Sequence, residues 1–253
     1  MPGGGAHIPA HDIERELKGY AIADYIVVPS FHAEESFLEL GLNPQKLFRN
    51  PYGVDLAMFP PTRMPSGDTP AKAIITGAWS LRKGCDILTA AWRQIPELGL
   101  MHVGAVVDAP LPQEDGFEHH DPVDQARLHH YYAEARVFVL ASREEGLSLV
   151  QAQALASGLP VVCTDRTGGA DLAELAGIKE GVFVAPHDNV SALADALRKA
   201  LRWSTERFAP GAVRDILGAN RDSLSWQAYG RRYDEFLRRI MDAAPFPTKM
   251  QSS

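Results

Sequence analysis

Short apolar runs alternate along this chain with longer segments whose apolar residues recur every three or four positions. The runs fall at 25–28, 73–76, 100–103, 137–140, 160–164 and 181–184, each bounded by Gly, Pro, Ser or Asp. They are continuous rather than strictly alternating, which is the pattern of strands covered on both faces by helices in a parallel sheet. Helical periodicity fills the intervals at 86–94, 123–135, 147–157 and 190–203. Regular succession of strand and helix predicts an α/β fold with a doubly wound, Rossmann-like parallel sheet.

Towards the end, Trp226, Tyr229, Tyr233, Phe236, Leu237 and Ile240 recur at helical spacing, with Arg231, Arg232, Arg238 and Arg239 largely between them. This predicts an amphipathic terminal helix whose aromatic stripe packs on a core. Pro60, Pro61, Pro65, Pro70 and Gly67 give residues 60–70 the composition of an exposed linker. The chain is thereby divided into 1–59, a helix, strand and helix too small to stand alone; the linker; an α/β unit over 71–205; and a helical segment over 206–253. Gly3, Gly4 and Gly5 follow no strand and read as a loose beginning rather than a phosphate cradle.

Composition narrows the function. With 25 basic and 32 acidic residues the net charge is -7, which argues against a nucleic-acid or anionic-membrane partner, so any phosphate recognition must be local. The two cysteines, Cys85 and Cys163, read as buried reduced thiols in a cytoplasmic protein. No apolar stretch approaches the roughly 20 residues of a membrane-spanning helix, so a soluble chain with no transmembrane segment is expected, at most peripheral to a membrane in a complete enzyme. His119, His120, His129 and His130 cluster around the helix expected at 123–135. They lack Cys or carboxylates at ligand spacing and read as solvated surface, so no metal is expected.

Ligands of open α/β sheets bind beyond the carboxyl ends of the strands. Three loops there carry chemistry. After the run at 73–76 come Gly77, Ala78 and then Arg82, Lys83 and Gly84, two adjacent cations between glycines. After 137–140 come Ser142, Glu145, Gly146, Leu147 and Ser148, leading into a helix; after 160–164 come Thr167, Gly168, Gly169 and Ala170 at another helix start. Cations for a diphosphate, amides for its oxygens and a carboxylate for sugar hydroxyls together suit a nucleotide-sugar. Each signal alone has a plain structural explanation as a solvated turn or a helix cap.

The stretch SREEGLSLVQAQALASGLPVV at 142–162 resembles the signature of glycosyltransferase family 4. ADYIVVPS at 23–30, NPYGVD at 50–55, LRKG at 81–84 and TGGADL at 167–172 follow the family's order. The resemblance covers roughly residues 20–201, and the helix beginning near Trp226 is similar to the family's crossover helix. It implies the C-terminal half of a GT-B fold, and a retaining, metal-independent, hexosyltransferase-type enzyme that moves a sugar from a UDP- or GDP-linked donor to a sugar, lipid or other hydroxyl acceptor. No cofactor is implied.

By the same resemblance Lys83 and Glu145 carry catalysis, Lys83 neutralising diphosphate and Glu145 contacting the transferred sugar. Gly77, Arg82, Ser142, Gly146, Leu147, Ser148, Gln153, Thr167, Gly168, Gly169 and Ala170 line the donor site. Three departures stand out. Gln153 occupies the position of the family's second, ribose-binding Glu; Ala78 replaces the usual Arg, leaving open whether Arg82 substitutes; and little of the N-terminal acceptor domain precedes Ala23, so no histidine here carries over to the family's His near the reacting centre. Two readings follow, a transferase completed by a separate N-terminal acceptor domain and a truncated or split nucleotide-sugar-binding module without activity of its own. A sugar-nucleotide epimerase would explain the sheet but not the match at 145–162.

Overall fold

The computed structural model of the chain describes residues 8–243; the glycine trio at 3–5 lies outside them. The chain opens with α1 (Ala10–Ile22), β1 (Ile26–Val28), α2 (Phe31–Glu39) and β2 (Leu47–Arg49). There follow β3 (Lys72–Thr76), α3 (Cys85–Trp92), β4 (Gly99–Val103), β5 (Phe117–His120), α4 (Leu128–Glu134), β6 (Val137–Leu140), α5 (Leu149–Ala156), β7 (Val161–Thr164), α6 (Gly169–Leu175), β8 (Val182–Ala185), α7 (Val190–Arg207) and α8 (Trp226–Ala243).

Strands β3 to β8 form one sheet in the order β5-β4-β3-β6-β7-β8, every neighbour parallel. The expected doubly wound, Rossmann-like sheet is therefore present. Side chains alternate across it. Ile74, Phe138 and Leu140 enter one core with Tyr132 of α4, Leu155 of α5 and Leu172 of α6, while Ala73, Ile75, Val137 and Val139 enter the other with Leu88 and Trp92 of α3 and Leu193 and Leu197 of α7. Apolar residues on both strand faces are what this two-sided burial demands.

Two strands escaped the sequence pattern. β5 reads Phe-Glu-His-His, too polar for an apolar run, because it pairs with β4 alone at the sheet edge and is only half covered. β2 is three residues long and pairs in parallel with β1, with α2 as the crossover between them. The helix expected over 123–135 shortens to α4, preceded by a 3-10 turn at Gln125–Arg127 whose Asp124 makes no side-chain cap. His119 and His120 are thus strand residues. Their reading as solvated surface is corrected, since the His119 ring stacks on that of buried His102 at 5.0 Å and His120 lies 4.9 Å from the Tyr131 ring.

The terminal helix α8 turns back onto the start of the chain. Phe236 stacks on Phe48 of β2 at 3.8 Å and meets Tyr25 edge-on at 5.2 Å. Composition alone suggests that 60–70 is exposed, yet Thr62 and Met64 within it are buried. The Thr62 amide donates to Ser157 O at 2.9 Å and the Met64 amide to Ala212 O at 2.8 Å. Arg214, fully buried, donates to Tyr132 O and Ala135 O at the end of α4 and to Thr62 Oγ1. Proline content reports what the backbone cannot donate, not whether its remaining amides find partners.

Candidate functional site

The strand order reverses between β3 and β6: the chain runs from β3 outward through β4 and β5, then returns to the other side of β3 for β6, β7 and β8. Loops leaving β3 and β6 diverge there and open a crevice at the carboxyl ends. Lys83 follows β3 and Glu145 follows β6, so the topology brings the two sides of this switch point together.

The loop after β3 lies close on the end of β6. Gly84 has φ +66, and a Cβ there would stand 2.0 Å from Ala141 O, so only glycine permits the approach. Next to it the Lys83 side chain, 11% exposed, hydrogen-bonds through Nζ to the Glu145 carboxylate. Arg82, 57% exposed, reaches Glu145 Oε2 at 3.3 Å and Glu144 O at 3.1 Å. Two cations thus converge on one carboxylate, with Arg82 turned towards Glu145. The Glu145 amide donates to Arg166 O at 3.0 Å, tying this loop to the one after β7.

Ser142 and Gln153 stand out for another reason. Both are buried, and Ser142 Oγ and Gln153 Oε1 have no hydrogen-bond partner within the protein, a condition shared among the described residues with Arg136 Nε and Ser157 Oγ. Orphaned buried polar atoms are uncommon enough to require an explanation. Gly146 is exposed, whereas Leu147 and Ser148 are buried.

The loop after β7 departs from expectation. Gly168 adopts φ +74 and lies so close to the β6 loop that a Cβ would meet Leu147 Cδ1 at 2.4 Å; at Gly169 it would meet Cys163 Sγ at 2.2 Å. Both glycines are buried, and Ala170 is the exposed residue at this helix start. Burial pushes the Cys163 thiol up to about 11, opposed in part by hydrogen bonds from Thr167 and the Gly169 amide. The Gly169 backbone thus lies against Cys163 Sγ. Thr167 is occupied, its hydroxyl donating to Thr164 O at 2.8 Å and its carbonyl accepting from Gln151 Nε2 at 2.6 Å.

Gly77 begins the Lys83 loop, directly after β3. It is exposed, with φ +109 and open space where a Cβ would be. Its carbonyl accepts from His102 Nε2 at 2.8 Å, which places the ring proton on Nε2 and leaves Nδ1 to accept from His119 Nδ1 at 3.0 Å. Burial, with lesser contributions from His119 and His120, holds His102 below the usual histidine value. A histidine buried neutral contributes stability that is present above the ordinary value near 6.5 and lost as pH falls through its lowered native value. We expect the melting temperature to drop as pH falls below about 6.5 and the drop to shrink in His102→Gln; equal drops in both proteins would place the acid sensitivity elsewhere.

Five further residues, Ser30, Arg49, Asp86, Arg143 and Asp171, tie the surrounding loops together. Ser30, the N-cap of α2, donates to Gly146 O; Asp171 accepts from the Phe31 amide at 2.8 Å and from Arg49 at 2.7 Å. Arg143 forks onto Asp86. Ser30, Asp171 and Arg143 lie inside the motif segments and Arg49 and Asp86 outside them, and nothing in the linear order shows which partners they meet.

Among the described residues no group of three or more His, Cys, Asp or Glu side chains is placed to hold a metal ion, and no helix is long and apolar enough to cross a membrane. Two cavities lie off the cluster. One of about 300 Å³ sits by Trp92, Leu98 and Gly116 at the opposite ends of the strands, and one of about 280 Å³ flanks the Lys83 loop beside Trp79, Cys85 and Pro110. Neither contains Lys83 or Glu145.

Comparison with known proteins decides the family. The family model for Glycosyl transferases group 1 matches residues 70–202, more than half the chain and including both strand-end loops of the cluster. The chain belongs to this family. A D-inositol 3-phosphate glycosyltransferase of Xylanimonas cellulosilytica is 30% identical over 222 residues, covering 76% of this chain and 52% of the relative. The chain spans about half the length of the curated relatives it matches.

Among solved structures, sucrose-phosphate synthase from Thermosynechococcus elongatus superposes with TM-score 0.67 at 23% identity, over 96% of this chain and 65% of that one. Anabaena HepE in complex with UDP-glucose superposes with TM-score 0.67 at 15% identity, over 92% of this chain and 69% of that one. These likenesses show the fold. The group 1 chain has the Rossmann-like α/β architecture of the C-terminal half of a GT-B fold, with α8 as its crossover helix.

Proposed function

We propose that this group 1 chain is the donor-binding half of a retaining glycosyltransferase of family 4, hexosyltransferase-type and independent of metal. It takes a nucleotide-diphosphate sugar, UDP- or GDP-linked, and passes the sugar to a sugar, lipid or other hydroxyl acceptor. The observation that carries this reading is the convergence of buried Lys83 and exposed Arg82 on Glu145 at the topological switch point of the sheet. A diphosphate drawn to these cations gains charge-assisted hydrogen bonds, and Glu145 is then free to accept from sugar hydroxyls. As the bond from the anomeric carbon to the diphosphate oxygen breaks, the electron pair leaves on the diphosphate. Fixed cations stabilise that charge in place, the term that usually lowers such barriers most. The unpartnered Gln153 Oε1 and Ser142 Oγ supply acceptors for ribose or sugar hydroxyls. UDP is the first donor to test because HepE is described bound to UDP-glucose.

The acceptor side requires a second wall. α1 buries none of its residues, and Ile13, Leu17 and Ile22 are exposed on it. We assign this face to a separate N-terminal acceptor domain. Buried free thiols at Cys85 and Cys163 suit a reducing, cytoplasmic setting.

Calorimetric titration with UDP, GDP, ADP, UDP-glucose and GDP-mannose tests the site. One diphosphate series should bind, and Lys83→Ala should raise its dissociation constant about 10- to 150-fold, the worth of a charged hydrogen bond of about 1.5–3 kcal/mol. Unchanged affinity in Lys83→Ala removes Lys83 from the site. Donor hydrolysis and transfer are then compared between this chain alone and a fusion carrying an N-terminal half; binding without turnover in both favours the inactive module.

A further inference from the structure

We propose that Arg143 is a positioning residue that sets the placement of the Arg82–Lys83 loop over the strand ends, a role that rests on the donor-site reading above. Arg143 follows β6 directly opposite that loop. Its amide donates to Arg82 O at 3.0 Å. Its guanidinium donates to Leu81 O and, as a fork, to both carboxylate oxygens of Asp86 at 2.8 Å each. Nε meets Asp188 Oδ1 at 2.7 Å.

One side chain thereby pins the residue two places before Lys83, the first turn of α3 just after it, and the loop between β8 and α7. Nε, Nη1 and Nη2 each have a partner, and none of these partners is Glu145, so Arg143 acts on the cluster through the loop. The arrangement depends on a planar fork. A lysine ammonium cannot hold both oxygens of Asp86 and the Leu81 carbonyl in this geometry. Asp188 is the described non-glycine residue with positive φ, +51, a conformation uncommon for such side chains, and it is held at this contact. The Asp86 hydrogen bond pushes Arg143 upward, and Arg143 holds Asp86 below the usual carboxylate value, so both remain charged near neutrality. Displacing Lys83 by an ångström would separate it from Glu145 and from any phosphate it faces, and errors of that size cost catalytic sites about 100-fold.

Asp86 offers the clean test because it is 44% exposed and touches neither Lys83 nor Glu145. Amide hydrogen exchange over residues 81–84 and UDP titration are measured for the wild type, Asp86→Asn, Arg143→Ala, Arg143→Lys and Asp86→Asn in the Lys83→Ala background. Positioning predicts faster exchange at 82–84 in the first three variants and UDP binding weakened about tenfold, with no added loss from Asp86→Asn once Lys83 is gone. Exchange at 82–84 unchanged in Asp86→Asn and Arg143→Ala overturns the proposal. So does acceleration spread equally through β6 and α7, which would be general destabilisation, or loss of UDP binding in Arg143→Ala alone, which would be direct ligand contact. If the wild type binds none of UDP, GDP and ADP, the donor-site reading fails while the exchange result still decides whether Arg143 places the loop; if it binds GDP or ADP instead, that nucleotide replaces UDP in the titrations.

Discussion

Arg214→Ala lowers the unfolding free energy by about 4 kcal/mol, because several charged hydrogen bonds of about 1.5–3 kcal/mol each are lost and the buried acceptors they served are left short of partners. The guanidinium is fully buried. None of its hydrogen bonds goes to a carboxylate; it donates to Tyr132 O at 2.9 Å, to Ala135 O, and through Nε to Thr62 Oγ1 at 3.1 Å. Two of those carbonyls close α4, where the helix dipole is negative and welcomes a cation. Burial, aided by nearby Arg136, pulls Arg214 down to about 10, so it stays protonated near neutrality. Truncation takes the Arg214 bond from Ala135 O, leaves Tyr132 O only the 3.3 Å bond from the Ala135 amide, and removes the side-chain tie between Thr62 and the segment beyond α7. Urea unfolding should show the loss, with a melting temperature lower by about 8–16 °C at 2–4 °C per kcal/mol for a chain of this size. A midpoint equal to the wild type's would show that water or a rearranged neighbour satisfies those carbonyls.

Gly84→Ala should damage both stability and nucleotide binding. Its added methyl would lie 2.0 Å from Ala141 O, a backbone atom of the sheet that cannot swing aside, and its φ of +66 disfavours any side chain. Left-handed backbone costs about 1–2 kcal/mol and overpacking about 1–3 kcal/mol, for a total of about 3 kcal/mol. The loop must rise off β6, carrying Lys83 with it, and UDP affinity should fall about 100-fold. Gly41→Ala isolates the strain, since Gly41 has φ +79 and open space around a Cβ. If Gly84→Ala loses no more stability than Gly41→Ala and keeps UDP binding, the close seating of the loop on β6 is not what places Lys83.

The strands β3, β4, β6 and β7 were legible because burial on both faces leaves a short, mostly apolar run; β8, at the other edge and only partly buried, was legible because its four residues are nevertheless all apolar. β5 was not. An edge strand answers to one neighbour, and its polar Phe-Glu-His-His is as compatible with a loop as with a sheet. Lys83, Arg82 and Glu145 could be named from their loops and from the family signature, yet their meeting at one carboxylate depends on the strand order, which no local pattern encodes. The β7 loop shows the converse. Its glycines could be read from the sequence, but that Leu147 and Cys163 pack against them could not.

The order of residues along this chain was by itself enough to determine the α/β class, the position of its parallel core strands, the amphipathic terminal helix and the loops able to carry charge to the strand ends. These follow from local periodicity and from the apolar surface each element must bury. Only the tertiary structure decided which cation faces which carboxylate, that Arg143 and Arg214 are spent on holding segments together, and that residues 62 and 64 are buried. Those outcomes are set by partners about 50 to 150 residues away, brought within hydrogen-bonding distance by packing. An arginine at the surface and one at the heart of the protein look alike until their neighbours are known.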